Sequence, residues 1–253
     1  MEIKKGKFIV IDGNDGTGKT TQTLLLIEQL KDQGHEVEMA DFPQYNTKSA
    51  GLVEEYLSGK YGAADEVSPY IASVFYAVDR YDASFKIREW LNQGKIVVSN
   101  RWVTANMGNQ GCKIDNPLER KAYIDWLNNL EYGLFKIPKP DLNIILHLPA
   151  EVSQTLSQKR TREDWKGKDA DIHQNNLEHL QKAEKTYLEI AQSDAAFLID
   201  CFKDGQILSP VLVNNLILEK VKYLLNFQHP TKDKFFELDI KIKNLFLKAG
   251  LSK

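Results

Sequence analysis

The sequence contains very little cysteine and no long apolar run. Cys112 and Cys201 are the only two cysteines among 253 residues, and they lie far apart in the chain. Two such thiols are too few for a disulfide framework or a zinc site, so we expect a reducing compartment. No stretch of about 18 apolar residues occurs, and the first apolar run, KFIVID, is too short for a signal peptide. We therefore expect a soluble cytoplasmic protein that does not enter a membrane.

A large excess of charge of either sign is also absent. The chain carries 33 basic and 35 acidic residues, which gives a formal net charge of −2. Such a chain has no overall field that would attract nucleic acid or anionic lipid, so any anion must be bound locally. The hydrophobic content of 42% is ample for a packed core. We expect a globular protein whose partners are small molecules rather than nucleic acid or a membrane.

Short apolar runs recur along the chain and alternate with helical stretches. Five of them are typical of strands buried on both faces: KFIVID, EVEMADF, KIVVS, LNIILHL and AFLID. Alternation of this kind predicts an α/β fold with a parallel sheet and right-handed crossovers. Ligands of such sheets bind beyond the carboxyl ends of the strands, so we expect the chemistry just after each strand.

Two helices have start and stop signals. Ser68 and Pro69 begin one that should end near Gly94, and Asn116 and Pro117 begin another that should end near Gly133.

The domain organisation follows from the absence of repeats and low-complexity linkers. We predict one domain over residues 1–227 and an amphipathic helical extension over residues 228–253. The sequence leaves open whether this extension packs on its own domain or forms a partner or dimer surface.

Residues 13–20, GNDGTGKT, fit the phosphate-loop pattern G-x-x-x-x-G-K-[ST]. The loop follows a predicted strand and precedes a predicted helix, as the pattern requires. Its backbone N–H groups would converge on phosphate oxygens, Lys19 would add a mobile charge, and the Thr20 hydroxyl would hold Mg²⁺. These features predict a nucleoside triphosphate site but do not identify the acceptor. The residues expected to bind ATP are Gly13, Asn14, Asp15, Gly16, Thr17, Gly18, Lys19, Thr20 and Thr21.

Several segments resemble thymidylate kinases, which phosphorylate dTMP to dTDP. The resemblance is carried by the Gly13-Asn14-Asp15 start of the loop, by ADFPQY after the second strand and by FYAVDR in the long helix. Order and approximate spacing agree over residues 7 to about 205. The resemblance implies a P-loop NTPase fold with three αβα layers and a five-stranded parallel sheet. It further implies ATP as donor, Mg²⁺, a homodimer and a lid near residues 158–172.

The resemblance also implies an acceptor site. In that family the third strand ends in Asp-Arg-Tyr or a close variant, and here Asn100, Arg101 and Trp102 take those positions. Arg101 would hold the dTMP phosphate, and its fork suits a phosphate monoester. Asn106 and Gln110 would face the pyrimidine and sugar.

Other expected acceptor contacts come from the long helix and two loops. Arg80 would contact a thymine carbonyl, and Tyr76 would stack on the base, with Phe75 as the alternative. Phe42 and Pro43 would form the wall of the pocket, and Asp15 would reach the acceptor's sugar hydroxyl. The resemblance puts Tyr76 at the family's base-stacking position, and Phe75 would take that role if the helix were rotated.

Catalysis in this family relies on positively charged groups around the transferred phosphoryl group. Gly16 follows Asp15, and the family members with this glycine supply an arginine from the lid. Here that residue would be Arg160 or Arg162, and the sequence does not choose between them. The residues expected to take part in catalysis are Lys19, Asp15, Arg101, Arg160, Arg162 and Asn100.

Asn100 departs from the family's usual aspartate. The attacking phosphate oxygen is largely deprotonated near neutral pH, because the second phosphate pKa is about 6, so no general base is required. An amide can still orient Arg101 or a metal-bound water. We therefore expect activity to be retained, with Thr20 and Asp12 at the metal and Asp12 or Asp15 as the carboxylate that contacts its water shell.

Two alternatives remain at this stage. The acceptor could be another nucleoside monophosphate or a deoxynucleoside, although the latter would require a carboxylate base that Asn100 does not provide. The chain could also be a nucleotide-binding sensor with weak catalysis, whose C-terminal helix forms the partner surface.

Overall fold

The computed structural model describes residues 5–158, 176–192 and 196–226. Five parallel strands form the central sheet in the order β2-β3-β1-β4-β5. All five predicted strands are confirmed, and a small antiparallel ribbon that we did not predict follows β5. The strands are β1 Lys7–Gly13, β2 Val37–Asp41, β3 Ile96–Asn100, β4 Leu142–His147, β5 Phe197–Asp200, β6 Phe202–Lys203 and β7 Gln206–Ile207.

Helices connect the strands. They are α1 Lys19–Asp32, α2 Gly51–Leu57, α3 Pro69–Asn92, α4 Val103–Asn109, α5 Pro117–Asn128, α6 Ala150–Gln158, α7 Leu177–Gln192 and α8 Pro210–Asn226. A 3₁₀ turn occupies Gly111–Lys113, and a π-helical turn occupies Asn129–Leu134. No helix within the described ranges has both the length and the apolar character needed to cross a membrane.

The sheet is covered on both faces, as its apolar strands predict. Ile9 and Ile11 of β1 pack in one core with α1 and α8. Phe8 and Val10 point the other way and pack in a second core with α3, α4, α5 and α7. Successive side chains of a strand alternate between faces, so one buried strand supplies both cores. The result is the predicted three-layer αβα arrangement.

The predicted start of each capped helix is confirmed. Ser68 Oγ accepts a hydrogen bond from Tyr70 N at 3.3 Å, and Asn116 Oδ1 accepts one from Leu118 N at 2.9 Å. The predicted end of the second helix is wrong, because α5 ends at Asn128 and the chain continues as the π-helical turn. There the backbone bonding widens, and Phe135 N donates to Leu130 O at 2.9 Å.

Three predictions fall outside the described residues. They are the lid segment, the lid arginines Arg160 and Arg162, and the C-terminal extension after residue 227.

Candidate active site

The carboxyl ends of three neighbouring strands bring the predicted site residues together. β1 runs into the phosphate loop, β3 ends at Asn100, and β2 ends at Asp41. Ile11 of β1 and Asp41 of β2 are both register partners of Asn100. Segments distant in sequence therefore meet at one edge of the sheet, where parallel α/β sheets bind ligands.

The phosphate loop is held by its own hydrogen bonds. Lys19 is only 5% exposed, and its Nζ donates to Gly13 O at 2.9 Å and to Asn14 O at 2.7 Å. Thr17 Oγ1 donates to Asn14 O at 2.8 Å. The lysine charge is therefore folded over the loop, beside the N-terminus of α1, where a phosphate group would be stabilised.

Gly16 cannot carry a side chain in this fold. Its φ of 85° is in the left-handed region, and a Cβ atom would lie 2.0 Å from Ser153 O on α6. An arginine in the loop at this position is therefore excluded by the backbone of α6. An arginine directed at the transferred phosphoryl group must come from another part of the chain.

Asp15 and Arg101 form an ion pair across the site. Arg101 Nη2 lies 2.5 Å from Asp15 Oδ1, and Lys19 Nζ lies 3.7 Å from the same oxygen. Arg101 has a φ of 68°, which is unusual for a residue with a side chain, and its backbone N donates to Ile11 O at 2.9 Å. This conformation turns the chain out of β3 and places the guanidinium over the phosphate loop.

Asp12 lies beneath the loop and is completely buried. Its Oδ1 accepts hydrogen bonds from Gly13 N at 2.9 Å and from the Tyr187 hydroxyl at 3.1 Å. Its Oδ2 is buried and has no hydrogen-bond partner within the described ranges. Burial raises the pKa of Asp12 and outweighs the opposing effect of Lys19. The carboxylate is thus tied to the loop backbone and to α7.

Asn100 does not orient Arg101 through any hydrogen bond that the structure records. Its Nδ2 instead donates to Asp41 Oδ1 at 2.8 Å and to Thr20 Oγ1 at 3.3 Å. Sequence reasoning missed Asp41. The signal was available, because both residues are the polar ends of strands that turn out to be neighbours.

Arg80 is completely buried and paired with Glu131. Arg80 Nε lies 3.0 and 3.1 Å from the two Glu131 oxygens, and Nη2 contacts Oε1 as well. Nη1 lies 3.4 Å from Trp102 O and 3.5 Å from Asn106 Oδ1. Sequence reasoning also missed Glu131, which the π-helical turn directs inward and which no periodic pattern marks.

The remaining acceptor-site candidates are polar side chains of α4 and its end and aromatic side chains of α3. Asn106 and Gln110 are buried, and Gln110 Oε1 has no hydrogen-bond partner in the described part of the chain. Phe75 and Tyr76 are half-buried, and each ring centroid lies 6.3 Å from that of Tyr56, so the structure does not choose between them.

The wall formed by the loop after β2 packs against the residue next to Arg101. The ring of Phe42 meets Trp102 edge-on, with centroids 5.0 Å apart, and the Phe42–Pro43 peptide bond is cis. Phe42 is 3% exposed. The loop is therefore joined to the end of β3 through an aromatic contact.

The oxygen atoms of the site suit a hard cation such as Mg²⁺, which would take most of its ligands from the nucleotide and from water. No group of three or more His, Cys, Asp or Glu side chains that could hold a metal occurs in the described ranges. Mg²⁺ usually takes one or two protein ligands, together with phosphate oxygens and waters. The Thr20 hydroxyl, linked through Asn100 to the Asp41 carboxylate, suits that mode of binding.

Comparisons with known proteins identify the family of the chain. The family model for thymidylate kinase matches residues 11–204. A thymidylate kinase from Exiguobacterium sp. (strain ATCC BAA-1283 / AT1b) is 29% identical over 203 residues, which cover 79% of this chain and 91% of that protein. One from Caulobacter vibrioides is 32% identical over 201 residues, covering 78% and 89%.

The fold agrees with a solved structure as well. The structure of thymidylate kinase from Candida albicans matches with a TM-score of 0.67 at 23% identity, covering 86% of this chain and 92% of that one. The match to the family model extends over the phosphate loop, the end of β3 and the acceptor-site candidates. This chain belongs to the thymidylate kinase family.

Proposed function

We propose that this protein is a dTMP kinase that transfers the γ-phosphoryl group of ATP to dTMP and yields dTDP and ADP. The observation that carries the proposal is the ion pair between Asp15 of the phosphate loop and Arg101 at the end of β3. The loop that would bind the phosphoryl donor is thus in direct contact with an arginine that suits a phosphate monoester.

The phosphate loop would hold the donor. Backbone N–H groups of residues 13–21 surround the phosphates, and Lys19 leaves the carbonyl groups of Gly13 and Asn14 to bind them. Because the lysine is already poised over the loop, little rearrangement is required. This arrangement positions the terminal phosphoryl group toward Arg101, as in-line transfer requires.

The acceptor phosphate would replace Asp15 at Arg101. The freed Asp15 carboxylate then accepts a hydrogen bond from the sugar hydroxyl of dTMP, the role that the family resemblance suggests. Arg80 Nη1, beside Asn106 Oδ1, is the donor that we assign to a thymine carbonyl. Glu131 would hold that guanidinium in place through its other nitrogens.

Mg²⁺ would be held by the Thr20 hydroxyl together with phosphate oxygens and water. When bound, it neutralises the charge that develops on the β- and γ-phosphoryl oxygens. Arg160 or Arg162 would add positive charge from the lid. The exclusion of a side chain at Gly16 supports this assignment to another segment, although both arginines lie outside the described residues.

We also propose that the protein is a cytoplasmic homodimer. Four of the exposed apolar side chains of helix α3 are spaced so that they lie on one side of the helix. They are Ile71, Val78, Tyr81 and Phe85. Apolar patches of this kind commonly mark interfaces, and a helix flanking the sheet can pair with its copy around a two-fold axis.

Calorimetry with dTMP and thymidine tests the acceptor assignment. We expect dTMP to bind more tightly than thymidine, and Arg101→Ala to reduce this preference by about 10- to 100-fold, the value of a charged hydrogen bond. Arg101→Lys is the matched control, because it keeps the charge and loses the fork. Equal affinity of the unmodified protein for dTMP and thymidine would count against a monophosphate acceptor.

A further inference from the structure

Two neighbouring strands end in an acidic residue and an amide at the same level of the sheet. β2 ends at Asp41, β3 ends at Asn100, and the two are register partners. Asn100 Nδ2 lies 2.8 Å from Asp41 Oδ1 and 3.3 Å from Thr20 Oγ1. One amide nitrogen therefore connects a carboxylate to the hydroxyl assigned to the metal.

The Asp41 carboxylate fixes the orientation of the Asn100 amide. A carboxylate only accepts hydrogen bonds, so the NH₂ group must face it and the carbonyl oxygen must point elsewhere. That oxygen, Oδ1, is buried and has no hydrogen-bond partner among the residues that the structure describes. This oxygen is a buried acceptor on the side chain that contacts Thr20 through its nitrogen, and metal-bound water is a donor that could satisfy it.

The same contact explains why position 100 carries an amide. An aspartate there would bring a second carboxylate within hydrogen-bond distance of Asp41, where like charges repel. It would also lose the donor that binds Asp41 and Thr20 together. The amide at the end of β3 is therefore required by the carboxylate at the end of β2, because it donates a hydrogen bond to that carboxylate.

The other acidic residues of the site already have strong partners. Asp15 is paired with Arg101, and Lys19 lies 3.7 Å away. Asp12 is completely buried, and its Oδ1 accepts hydrogen bonds from Gly13 N and the Tyr187 hydroxyl. Asp41 lies at the exposed end of β2, and Asn100 joins its carboxylate to the Thr20 hydroxyl.

We infer that Asp41 is the carboxylate that accepts hydrogen bonds from the water shell of Mg²⁺, and that Asn100 is a positioning residue that holds Asp41 beside Thr20. The family pattern has an aspartate at the end of the third strand, where this chain has Asn100. In this chain the negative charge lies instead on Asp41, at the end of the second strand. This inference rests on the proposed kinase function. It assigns the contact with the water shell of Mg²⁺ to Asp41 rather than to Asp12 or Asp15.

Binding of ADP with and without metal tests the inference without relying on turnover. Calorimetry gives the affinity for ADP in Mg²⁺ and in EDTA, and the ratio of the two is the magnesium gain. We expect Asp41→Asn to reduce this gain by about tenfold, as loss of an outer-shell ligand does, and to leave the affinity in EDTA unchanged. Glu38→Gln is the matched control. It removes a charge from the same strand, about 10 Å away, where the side chain pairs with Lys95.

The reciprocal exchange separates this role from a merely structural one. Asn100→Asp alone should lower both the melting temperature and the magnesium gain, because two carboxylates then meet. The double variant Asp41→Asn with Asn100→Asp restores one carboxylate and one amide, so both quantities should return toward their original values.

Two results would overturn the inference. One is an unchanged magnesium gain in Asp41→Asn, and the other is a higher gain in Asn100→Asp alone. Failure of the unmodified protein to bind ADP at all would reject the kinase function itself and the inference with it. Normal ADP binding with an unchanged gain rejects only the assignment of Asp41.

Discussion

Arg80 is a deeply buried charge on the acceptor side of the site. Both Arg80 and Glu131 are buried, and the Glu131 carboxylate accepts hydrogen bonds from Nε and Nη2 of the guanidinium. A buried ion pair costs desolvation energy on both sides, so its presence alone is a poor argument for stability. A role in recognition explains the pair better, because Glu131 holds the Arg80 guanidinium in a fixed position beside Asn106, where it could contact a base.

Removal of one partner from this pair should destabilise the fold strongly. Glu131→Gln leaves the Arg80 charge buried without a counter-charge, and we expect a loss of about 3–5 kcal/mol in the free energy of unfolding. Urea denaturation measures this quantity. Glu89→Gln removes a carboxylate that pairs with Lys86 at the surface, where both side chains are exposed, and it should cost no more than about 1 kcal/mol. Equal effects of the two substitutions would contradict this account.

His179 should make the protein sensitive to acid. Burial and the nearby charges of Lys113 and Lys182 lower the pKa of His179 to about 4, against the opposing effect of Asp15. Between pH 6.5 and 4 the unfolded chain binds a proton that the folded chain does not. Stability therefore falls as the pH decreases through this window, by an amount on the order of 3 kcal/mol.

Comparison with His179→Gln isolates this contribution. The variant has no titrating ring, so its free energy of unfolding should decrease less steeply between pH 6.5 and 4 than that of the unmodified protein. Denaturation curves at several pH values give both slopes. Parallel slopes would mean that the histidine titrates alike in the folded and unfolded chains.

Some residues of the site could be predicted from the sequence and others could not. The phosphate loop and Arg101 lie in short contiguous motifs, and the structure places their side chains beside one another. Asp41 and Glu131 were missed because their roles depend on contacts across 59 and 51 residues of sequence. Nothing local to Glu131 marks it as inward-facing, since a π-helical turn rather than an α-helical period directs it.

At the scale of elements, a glycine allows close packing of α4 on α7. A Cβ atom at Gly108 would lie 2.4 Å from the Tyr187 ring, whose hydroxyl reaches Asp12. Gly108→Ala should therefore cost about 1–3 kcal/mol through overpacking, despite the higher helix propensity of alanine.

Gly51→Ala provides a matched control for this substitution. Gly51 begins α2 with open space around its Cβ position, so the change should be neutral or stabilising by up to about 1 kcal/mol. Thermal or urea denaturation compares the two variants. If Gly108→Ala were as stable as Gly51→Ala, the close contact with Tyr187 would not constrain the packing.

Elements with local signals were well predicted, whereas their spatial arrangement was not. The five apolar runs and the caps at Ser68 and Asn116 follow from local chemistry that acts within a few residues. The order β2-β3-β1-β4-β5 and the crossing of α4 with α7 depend on long-range packing. Only the location of the site at the carboxyl strand ends could be predicted, because that rule is independent of strand order.

At the scale of the whole molecule, the exposed apolar face of α3 predicts self-association. Phe85 is 59% exposed and lies on the same helix face as Ile71, Val78 and Tyr81. Phe85→Glu introduces a charge that would meet its own copy across a two-fold axis, so we expect the dimer to dissociate. Light scattering coupled to size-exclusion chromatography measures the mass directly.

A charge placed elsewhere tests whether the effect is specific to α3. Leu118 on α5 is 79% exposed, and Leu118→Glu should leave the mass unchanged. A monomeric unmodified protein would show that α3 does not form the proposed dimer interface.

The reaction that we propose for this protein is phosphoryl transfer from ATP to dTMP. The most direct measurement is the rate of nucleoside diphosphate formation from ATP and Mg²⁺ with dTMP, dUMP, the other deoxynucleoside monophosphates and thymidine as separate acceptors. We predict that dTMP is converted to dTDP fastest, that thymidine is not phosphorylated, and that Arg101→Ala removes most of the activity. Tight ATP binding with no acceptor phosphorylated, or preferential phosphorylation of thymidine, would contradict the account.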